Sequence, residues 1–556
     1  MNYFEYLGQF LMMTRDPSLD GTLYLLSGVG DPHKKFRSVH VAGTNGKGSV
    51  VETLASALQT EKMRVGKFIS PYITRFNEYM SINGVDITDA EIEMHLAKLK
   101  PIIESAPMEI KYFEIVTVLA FMHFAHHNVD IAVVEVGMGG THDCTNVITP
   151  EVAVITQIHF DHKEVLGLTI EEIAGKKAGI IKQGVPVVTA NTGESLEVIR
   201  RQAADMNSPL TIIDPALINV ENLRIDKPMV VHFAGEKFKT TLRGRHQGVN
   251  TALAVEALRL LGMKKIKEFR VNHPARFDVI SKKPLIIFDG AHNANSIAGF
   301  TAMVSDYFEP EIRKLLIVSM LSKKDPGEAM QQLALGLSPN TEIIFTGGVG
   351  DEFHKAETLQ SSFAKFSEHP TLCAEFADAL ARADGTRAAF VVGSFKTFGA
   401  VKNFVYNRGK EDSIMIEIKD MGGMPFVMKI EDAVEQNTNY RKTIWTGESL
   451  QVTMMSIEPG EEMGVEVHPE HDQFYRIEKG EGLFQAGPAR DKLNYAVPIK
   501  SDWAAMVPKG TWHNITNTGM RAIKLYTVYG PAHHPVGTIH ATRADDQGHH
   551  DEAETV

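Results

Sequence analysis

Apolar runs of four to seven residues alternate with amphipathic helical patterns between residues 1 and 410. The runs occupy residues 39–42, 131–136, 152–158, 185–189, 284–288, 315–318, 342–345 and 388–392. Strands of a parallel sheet are buried on both faces, so they read as continuous apolar runs with helices between them. The pattern predicts two α/β domains, residues 1–282 and 283–410, each with a largely parallel sheet covered by helices.

The pattern changes after residue 410. Helical patterns become few, β-branched runs alternate with Gly/Pro turns, and all three tryptophans follow, at Trp445, Trp503 and Trp512. Short strands at regular spacing are typical of an all-β domain, which we place at residues 415–542. Met415 at its start fits a fusion of two genes. The last residues, 543–556, are acidic and polar and are predicted to be disordered.

The composition narrows the class of protein. With 43% hydrophobic and 23% charged residues, the chain has the balance of a soluble globular protein. No apolar run reaches the ~18 residues of a membrane span, and the N-terminus lacks the basic and apolar regions of a signal peptide. Two cysteines in 556 residues favour a reducing compartment, so we expect a cytoplasmic protein without a membrane partner. The net charge of −12 disfavours nucleic acid.

The first candidate site is a glycine-rich loop after the apolar run 39–42. It reads Gly43-Thr-Asn-Gly-Lys-Gly-Ser49, and an amphipathic helical pattern follows it. Strand, glycine loop and helix together cradle phosphate, because backbone N–H groups and the helix N-terminus face the oxygens. Lys47 can reach the outer phosphates and Ser49 can bind Mg²⁺. The spacing is unusual, since Gly48 separates Lys47 from Ser49.

Further polar stretches follow the predicted strands, where open α/β sheets place their sites. Carboxylates and hydroxyls near a phosphate loop suit Mg²⁺, which prefers oxygen ligands. Taken one by one these stretches are weak signals. They lie at residues 135–140, 161–162, 173–180, 244–250, 274–278 and 289–293.

Taken as an ordered set, these motifs resemble the folylpolyglutamate synthase and dihydrofolate synthase family, the FolC-type branch of the Mur ligases, over residues 1–408. The resemblance implies a Mur-ligase-type phosphate-loop domain followed by a Rossmann-like α/β domain. It also implies ATP and two Mg²⁺ ions as cofactors. The implied roles are these: Lys47, His162 and Lys177 in catalysis; Asn45, Gly46, Lys47, Gly48, Ser49, Asn250, Arg276, Asp289 and His292 in ATP binding; Ser49, Ser70, Glu135, His162 and Lys177, the last as an N-carboxylate, in Mg²⁺ binding.

The implied reaction is ATP-dependent amide formation. A folate or dihydropteroate carboxylate attacks the γ-phosphate, and the amine of L-glutamate then displaces phosphate from the acyl phosphate. The acceptor stays open between dihydropteroate, folates with one glutamate and polyglutamylated folates. Arg75 and Phe76, in the loop 70–78, are the candidate contacts to the pterin, with a packing role for Phe76 as the alternative.

The chain departs from the family pattern at four places. Thr141 and His142 follow the Gly-Gly where the family usually has Arg, and Lys176 replaces a Glu before Lys177. The later motifs read Lys323-Lys-Asp325 and Pro274-Ala-Arg276. We hypothesise that the charge of Lys176 lowers the pKa of Lys177 and so favours its carboxylation.

Residues 459–482 and 507–517 resemble the two motifs of the cupin superfamily, a double-stranded β-helix barrel. Alternate residues of a strand point to the same side, so positions i and i+2 can share one metal. The implied site is Glu466, His468, Gln473 and His513, a set that suits Mn, Fe, Ni or Zn. Glu466 and Gln473 depart from the usual His and Glu. A metal-free barrel that holds a sugar or another small ligand is the alternative, and His471, His533 and His534 are substitute ligands.

Other functions remain open at this point. A Mur-type ligase could act on another carboxylate acceptor, such as a peptidoglycan precursor, and a degenerate core could be a non-catalytic nucleotide-binding or small-ligand-binding fusion protein. The barrel could be an isomerase, an oxygenase or a ligand sensor. We expect the ligase part to be monomeric and the barrel to be capable of dimerising.

Overall fold

A computed structural model describes residues 3–11, 18–161, 163–263, 265–411, 419–519 and 521–546. The chain divides into two compact units, residues 1–408 and 409–556. His162 and Met415, both named above, and residues 547–556 lie outside the described residues. Among the helices described, none is long and apolar enough to cross a membrane.

The first unit is built around an eight-stranded sheet with the strand order β4-β3-β2-β5-β1-β6-β7-β8. Strands β2 and β5 to β8 run parallel to β1, whereas β3 is antiparallel to its neighbours β2 and β4. The four predicted strands are present: β1 and β7 end at the predicted residues, whereas β5 and β6 end one and three residues earlier. The bounds are β1 Arg37–Ala42, β2 Val65–Phe68, β3 Met80–Ile82, β4 Val85–Asp86, β5 Ile131–Glu135, β6 Val152–Ile155, β7 Val187–Thr189 and β8 Leu210–Ile212.

Helices cover both faces of this sheet. Strand β5 shows why, since Ala132 and Val134 pack into one hydrophobic cluster and Ile131 and Val133 into another. Helix α5 is buried along most of its length, which explains its lack of a polar face. The helices are α1 Tyr3–Gly8, α2 Asp20–Gly28, α3 Lys47–Thr60, α4 Asp89–Glu104, α5 Tyr112–His126, α6 Lys163–Leu166, α7 Ile170–Ala178, α8 Gly193–Asp205 and α9 His246–Leu260.

A small sheet that the sequence pattern did not predict packs beside α9. Its strands are β9 Asn219–Glu221, β10 Met229–Phe233, β11 Glu236–Thr240 and β12 Glu268–Phe269, in the order β12-β11-β10-β9. Ala234 and Gly235 both have positive φ and join β10 to β11, as a two-residue hairpin turn requires. Phe238 and Phe269 point into the cluster that also holds Leu253 of α9.

The Rossmann-like part has a six-stranded sheet with the order β13-β14-β18-β15-β16-β17. Only β13 is antiparallel to its neighbour, and it places the start of this sheet at residue 278 rather than 283. The strands are β13 Asp278–Lys282, β14 Leu285–Asp289, β15 Lys314–Val318, β16 Thr341–Phe345, β17 Thr371–Cys373 and β18 Ala388–Val392. Its helices are α10 Ala294–Tyr307, α11 Gly327–Gly336, α12 Ala356–Phe363, α13 Phe376–Ala381 and α14 Phe398–Glu411.

The second unit is the expected all-β barrel, preceded by the short helix α15 Ile430–Gln436. Its two antiparallel sheets have the orders β24-β21-β26-β20-β19-β27 and β23-β22-β25, and side chains of both sheets share one core. The strands are β19 Arg441–Thr446, β20 Gln451–Ile457, β21 Asp472–Lys479, β22 Glu481–Gly487, β23 Tyr495–Lys500, β24 Ala504–Val507, β25 Trp512–Asn517, β26 Ile523–Gly530 and β27 Ile539–His540.

The tail predicted to be disordered from residue 543 is folded in its first four residues. Arg543–Asp546 form a 3-10 turn, and Asp546 is buried. Its carboxylate lies 2.9 Å from Nη1 of the fully buried Arg441. The prediction of disorder was wrong for these four residues. It rested on their polar composition, which does not show that the buried Arg441 pairs with the Asp546 carboxylate.

Candidate active sites

The phosphate loop joins β1 to α3. Gly43 has a φ of +147° and Gly46 a φ of +93°. A Cβ at Gly43 would lie 1.8 Å from Thr156 Oγ1, and one at Gly46 would lie 2.4 Å from Asn250 Oδ1. Both positions therefore require glycine. No side chain caps the N-terminus of α3 in the described structure, so its first N–H groups face the loop cavity, as a phosphate site needs.

Lys47, Glu135 and Ser70 meet beside this loop. Lys47 Nζ lies 3.9 Å from Glu135 Oε1, and the Ser70 backbone N–H donates to Glu135 Oε2 at 3.3 Å. Burial raises the pKa of Glu135 to about 7, against the opposing effect of the Lys47 charge. The buried Ser70 hydroxyl has no hydrogen-bond partner among the described residues. An unpaired hydroxyl next to a buried carboxylate fits a divalent cation, which would satisfy both.

Ser49 Oγ lies 3.3 Å from His273 Nδ1. Sequence reasoning missed His273, although it directly precedes the Pro274–Arg276 motif. Burial holds the pKa of His273 well below its usual range, so its ring is neutral at physiological pH. A neutral ring nitrogen can accept a hydrogen bond from the Ser49 hydroxyl. The lone pairs of the hydroxyl oxygen are then left to face a cation.

Lys177 lies under the loop and is 4% exposed. Its Nζ donates to the Gly43 carbonyl at 2.7 Å. Burial first, and the Lys47 charge second, lower the pKa of Lys177 to about 7. The hypothesis that assigned this effect to Lys176 was wrong, because the Lys176 ammonium instead donates to the Val165 carbonyl at 2.6 Å. With a pKa of about 7, about half of this buried amine is neutral at pH 7, and the neutral form can react with CO₂.

A cavity of about 300 Å³ extends from the phosphate loop to the Rossmann-like sheet. Eight of the nine predicted ATP contacts line it, the loop residues 45–49 together with Asn250, Arg276 and Asp289, whereas His292 does not. Asp289 accepts the backbone N–H groups of Phe277 and Ala291, each at 2.8 Å. The Arg276 guanidinium stacks 4.5 Å from the centre of the Phe395 ring. The centre of the His292 ring lies 5.9 Å from that of Phe395.

A second cavity of about 390 Å³ borders Ser70 and the Gly-Gly motif. Its wall is mostly apolar and includes Tyr79, Phe113, Met138 and Leu166, with polar groups from Thr141, His142 and Lys176. The residues predicted to contact substrate lie elsewhere. Phe76 is 1% exposed in the core, edge-on to Tyr79. Arg75 pairs with Asp86 at 3.0 Å on the surface.

The barrel brings its four predicted ligands together. Glu466 Oε1 lies 3.2 Å from His468 Nε2 and 3.5 Å from His513 Nε2, and Gln473 Oε1 lies 2.9 Å from His513 Nε2. Glu466 pairs with His513 across an isolated β-bridge, which aligns their side chains. Tyr475, fully buried, donates its hydroxyl to Glu466 at 3.2 Å.

The polar atoms of these residues meet inside the barrel. His513 Nδ1 lies 2.9 Å from the Thr511 carbonyl, so the ring donates there and its Nε2 carries a lone pair when neutral. This Nε2 lies 2.9 Å from both the Tyr475 hydroxyl and Gln473 Oε1, an arrangement that suits a cation or a small polar ligand. A second group of three histidines, His468, His471 and His533, has ligand atoms within 4.8 Å of one another.

Two family models match the chain. The Mur ligase middle domain matches residues 41–258, and the cupin domain matches residues 453–529. The first match includes the phosphate loop, Glu135, Lys177 and Asn250. The second includes all four residues of the barrel site.

Three known proteins define the similarity further. The Bacillus subtilis dihydrofolate synthase/folylpolyglutamate synthase is 39% identical over 303 residues, which is 50% of this chain and 70% of that protein. The structure of Mycobacterium tuberculosis folylpolyglutamate synthase complexed with ADP and AMPPCP is 26% identical, with a TM-score of 0.62, over 72% of this chain and 96% of that chain. The uncharacterized Bacillus subtilis protein YrkC is 48% identical over 128 residues, or 23% of this chain and 69% of that protein.

Proposed function

The chain belongs to the folylpolyglutamate synthase and dihydrofolate synthase family of Mur ligases, and from this membership we propose how its residues ligate L-glutamate to a folate carboxylate. The enzyme uses ATP to convert the carboxylate into an acyl phosphate, which the glutamate amine then attacks with release of phosphate. One observation carries the assignment of roles: the phosphate loop, Glu135 and Lys177 converge at one buried point beside the cavity that Asn250, Arg276 and Asp289 line.

The phosphate loop and Lys47 hold the triphosphate. Backbone N–H groups at the start of α3 face the phosphate oxygens, and the Lys47 ammonium is close enough to Glu135 to sit between that carboxylate and the γ-phosphate. Arg276 is fixed by its stack on Phe395 and adds positive charge on the other side of the cavity. Fixed positive groups favour the transfer because they need no reorganisation as negative charge moves.

Ser49, Ser70 and Glu135 would hold Mg²⁺, together with His162 as the family resemblance implies. When bound, Mg²⁺ neutralises negative charge on the phosphoryl group during its transfer. The chain prepares this site with a hydroxyl turned by His273, an unpaired hydroxyl at Ser70 and a carboxylate held by the Ser70 N–H.

Lys177 is proposed to carry a carboxyl group on Nζ. Its amine is buried and its pKa is lowered to about 7, so a large fraction is nucleophilic toward CO₂ at neutral pH. The resulting carbamate is anionic, and the neighbouring Lys47 would stabilise it. An anionic oxygen donor beside the phosphate loop is suited to the second Mg²⁺ ion.

The acceptor is proposed to bind in the cavity of about 390 Å³. Its aromatic and apolar wall, with Tyr79 and Phe113, fits a flat pterin ring. Ser70 and Pro71 line both this cavity and a smaller one that contains Glu135. A carboxylate at the end of the acceptor would therefore enter beside the phosphate loop, where the γ-phosphate lies.

ATP turnover that depends on L-glutamate tests this assignment. The full chain is assayed for ADP release with dihydropteroate and, separately, with tetrahydrofolate as acceptor. We expect turnover with at least one of them, and a loss of roughly 10²–10³-fold in Glu135→Gln. The control is Glu151→Gln, a surface carboxylate that pairs with Arg37 at 2.5 Å and should leave turnover unchanged. Failure of both acceptors would contradict the folate assignment.

For the barrel we propose a first-row transition metal held by Glu466, His468, Gln473 and His513. The donor set of two imidazoles and two oxygens suits Mn, Fe, Ni or Zn. Metal content of the purified full chain should fall in His513→Asn and persist in His471→Asn. The opposite result would assign the metal to His468, His471 and His533. Equal low content in both variants and the parent would favour a metal-free barrel for a small ligand.

We also propose a cytoplasmic location. Cys144 is half-buried and Cys373 exposed, and both thiols are free, as a reducing compartment allows. Folate acceptors and L-glutamate would be available there as the small-molecule partners. Gel filtration of the full chain would test the expected monomeric ligase part and the barrel's capacity to dimerise.

A further inference from the structure

Helices α4 and α5 carry a group of histidines that the ligase site does not use. Glu91 and His95 are four residues apart on α4, and His123 and His127 are four residues apart at the end of α5. Residues four apart share one face of a helix. The two faces meet, because His127 Nε2 lies 2.7 Å and His123 Nδ1 3.9 Å from Glu91 Oε1.

These three ligand atoms have the spacing of a metal site. They lie within 4.8 Å of one another. A tetrahedral ion with bonds of about 2.1 Å needs ligand atoms about 3.4 Å apart, and the two measured distances to Glu91 fall on either side of that value. Small rotations of the side chains would close the site without moving either helix.

The ring nitrogens of this cluster are poorly satisfied without an ion. Nδ1 of His123, and both ring nitrogens of His95, are buried without a hydrogen-bond partner in the part of the chain that the structure describes. His95 is 1% exposed and His123 is 3% exposed. Buried polar atoms are normally paired, since an unpaired one costs about 1–3 kcal/mol. A metal ion would give the His123 nitrogen the partner that it lacks.

We propose that Glu91, His123 and His127 bind a Zn²⁺ ion that ties α4 to α5. Two imidazoles and one carboxylate are a donor set that zinc accepts, with water in the remaining position. Glu91 and His127 are partly exposed, so the ion can enter from solvent. His95 and His126 line an adjoining cavity of about 370 Å³.

The ion would also stiffen one wall of the proposed acceptor cavity. Phe113 and Glu114, in the first turn of α5, line that cavity. His123 lies ten residues further along the same helix, or about 15 Å at the usual rise. A tie at the far end of a continuous buried helix restricts its movement along the sheet.

Zinc binding to the full chain tests the proposal. Metal-stripped protein is titrated with Zn²⁺ in competition with a chromogenic chelator, and His127→Asn and Glu91→Gln are compared with the parent. Each variant should lose one bound equivalent, or bind it at least roughly tenfold more weakly. Glu91→Gln keeps the helix cap, because Gln can serve the capping box with Thr88 as Glu does. Any zinc bound by the barrel is the same in every protein, so it cancels when the variants are compared.

The matched control is His126→Asn. This exposed histidine lies next to His127, with ring centres 5.0 Å apart, but it is not in the group of three. It should bind as many equivalents as the parent, and zinc should raise the melting temperature of the parent and of His126→Asn but not of His127→Asn. Equal stoichiometry and affinity in all four proteins, or an equal loss in His126→Asn, would overturn the proposal.

Discussion

At the scale of single residues, two lysines of the first unit have similar hydrogen bonds and different surroundings. Lys177 donates to the Gly43 carbonyl at 2.7 Å, and Lys182 donates to the Asn146 carbonyl at 2.8 Å. Burial lowers the pKa of both, but only that of Lys177 reaches about 7, with the Lys47 charge as a second cause. Fuller burial and the nearby Lys47 charge together distinguish Lys177, which is 4% exposed, from the partly buried Lys182.

Replacing each lysine by methionine separates the loss of the proposed carboxyl group from the loss of a buried hydrogen bond. Lys177→Met should lower glutamate-dependent ATP turnover by roughly 10²–10³-fold, because it removes an anionic group that acts where charge moves. Lys182→Met should keep turnover within about twofold while losing a comparable buried hydrogen bond. Intact-mass spectra taken in bicarbonate should show one added carboxyl group on the parent and on Lys182→Met only. An unmodified Lys177 in a fully active parent would contradict the carbamate.

Gly46 and Gly184 offer a second comparison. Both have positive φ, +93° and +71°, so alanine strains each by about 1 kcal/mol. Only at Gly46 would the new Cβ also meet a neighbour, 2.4 Å from Asn250 Oδ1, whereas the space around Gly184 is open. Both variants should melt at slightly lower temperature, but only Gly46→Ala should bind ATP at least roughly tenfold more weakly, as calorimetric titration would measure. Equal ATP affinity in both would mean that the loop tolerates a Cβ there.

At the scale of elements, the sequence predicted the parts whose signal is local. Strands β1, β5 and β15 are buried on both faces and therefore appear as apolar runs. The sheet β9–β12 was missed because its strands are two to five residues long and only one face is buried. Short strands with one buried face give no continuous apolar run, so the pattern does not separate them from loop sequence.

The candidate sites divide in the same way. Gly43 and Lys47 form a motif within one loop, so the pattern alone identifies them. His273 contacts Ser49 from 224 residues further along the chain, and this contact depends on how α3 packs against the segment after β12. For Phe76 the sequence left a pterin contact and a packing role open, and the residue lies in the core, edge-on to Tyr79. Only the tertiary structure distinguishes a lining residue from a packed one.

Strand β1 also carries a titratable group that makes stability depend on pH. His40 is fully buried, and its Nε2 lies 2.8 Å from Thr145 Oγ1, whereas Nδ1 has no partner within the described ranges. Burial lowers the pKa of His40 to about 3. Below the unfolded value of about 6.5 the unfolded chain binds a proton that the folded one does not, so stability falls as the pH falls.

His40→Gln should remove this contribution. Between about pH 6 and pH 4 the free energy of unfolding of the parent should fall more steeply than that of the variant, by about 1.4 kcal/mol per pH unit. Urea unfolding at several pH values measures both slopes. At pH 8 the imidazole is neutral in both states, so the difference there reports packing alone. Parallel slopes would show that His40 is protonated in the folded state or hydrated there.

At the scale of the whole molecule, each of the two units has its own sheets and its own hydrophobic clusters. Among the described residues, strands β1 to β18 form the sheets of the first unit and strands β19 to β27 those of the barrel. The hydrophobic clusters of the first unit lie within residues 3–405, and those of the second within residues 428–526. Each unit is large enough to bury a core of its own. The described residues that we propose for the ligase reaction all lie in the first unit.

Separating the chain between residues 411 and 419 tests whether the ligase reaction depends on the barrel. The fragment 1–411 should retain the glutamate-dependent ATP turnover of the full chain within about twofold, because the phosphate loop, Glu135, Lys177 and the nucleotide cavity all lie within it. The fragment from residue 419 onward should fold alone and melt at the same temperature as the barrel does within the full chain, since domains with separate cores unfold as separate units.

A chelator should lower the melting temperature of the barrel, and not that of the ligase part, if the metal proposed for Glu466 and His513 is present. Loss of turnover in the fragment 1–411 with a normal circular dichroism spectrum would instead mean that the barrel takes part in the ligase reaction, and the fusion would then be functional rather than merely covalent.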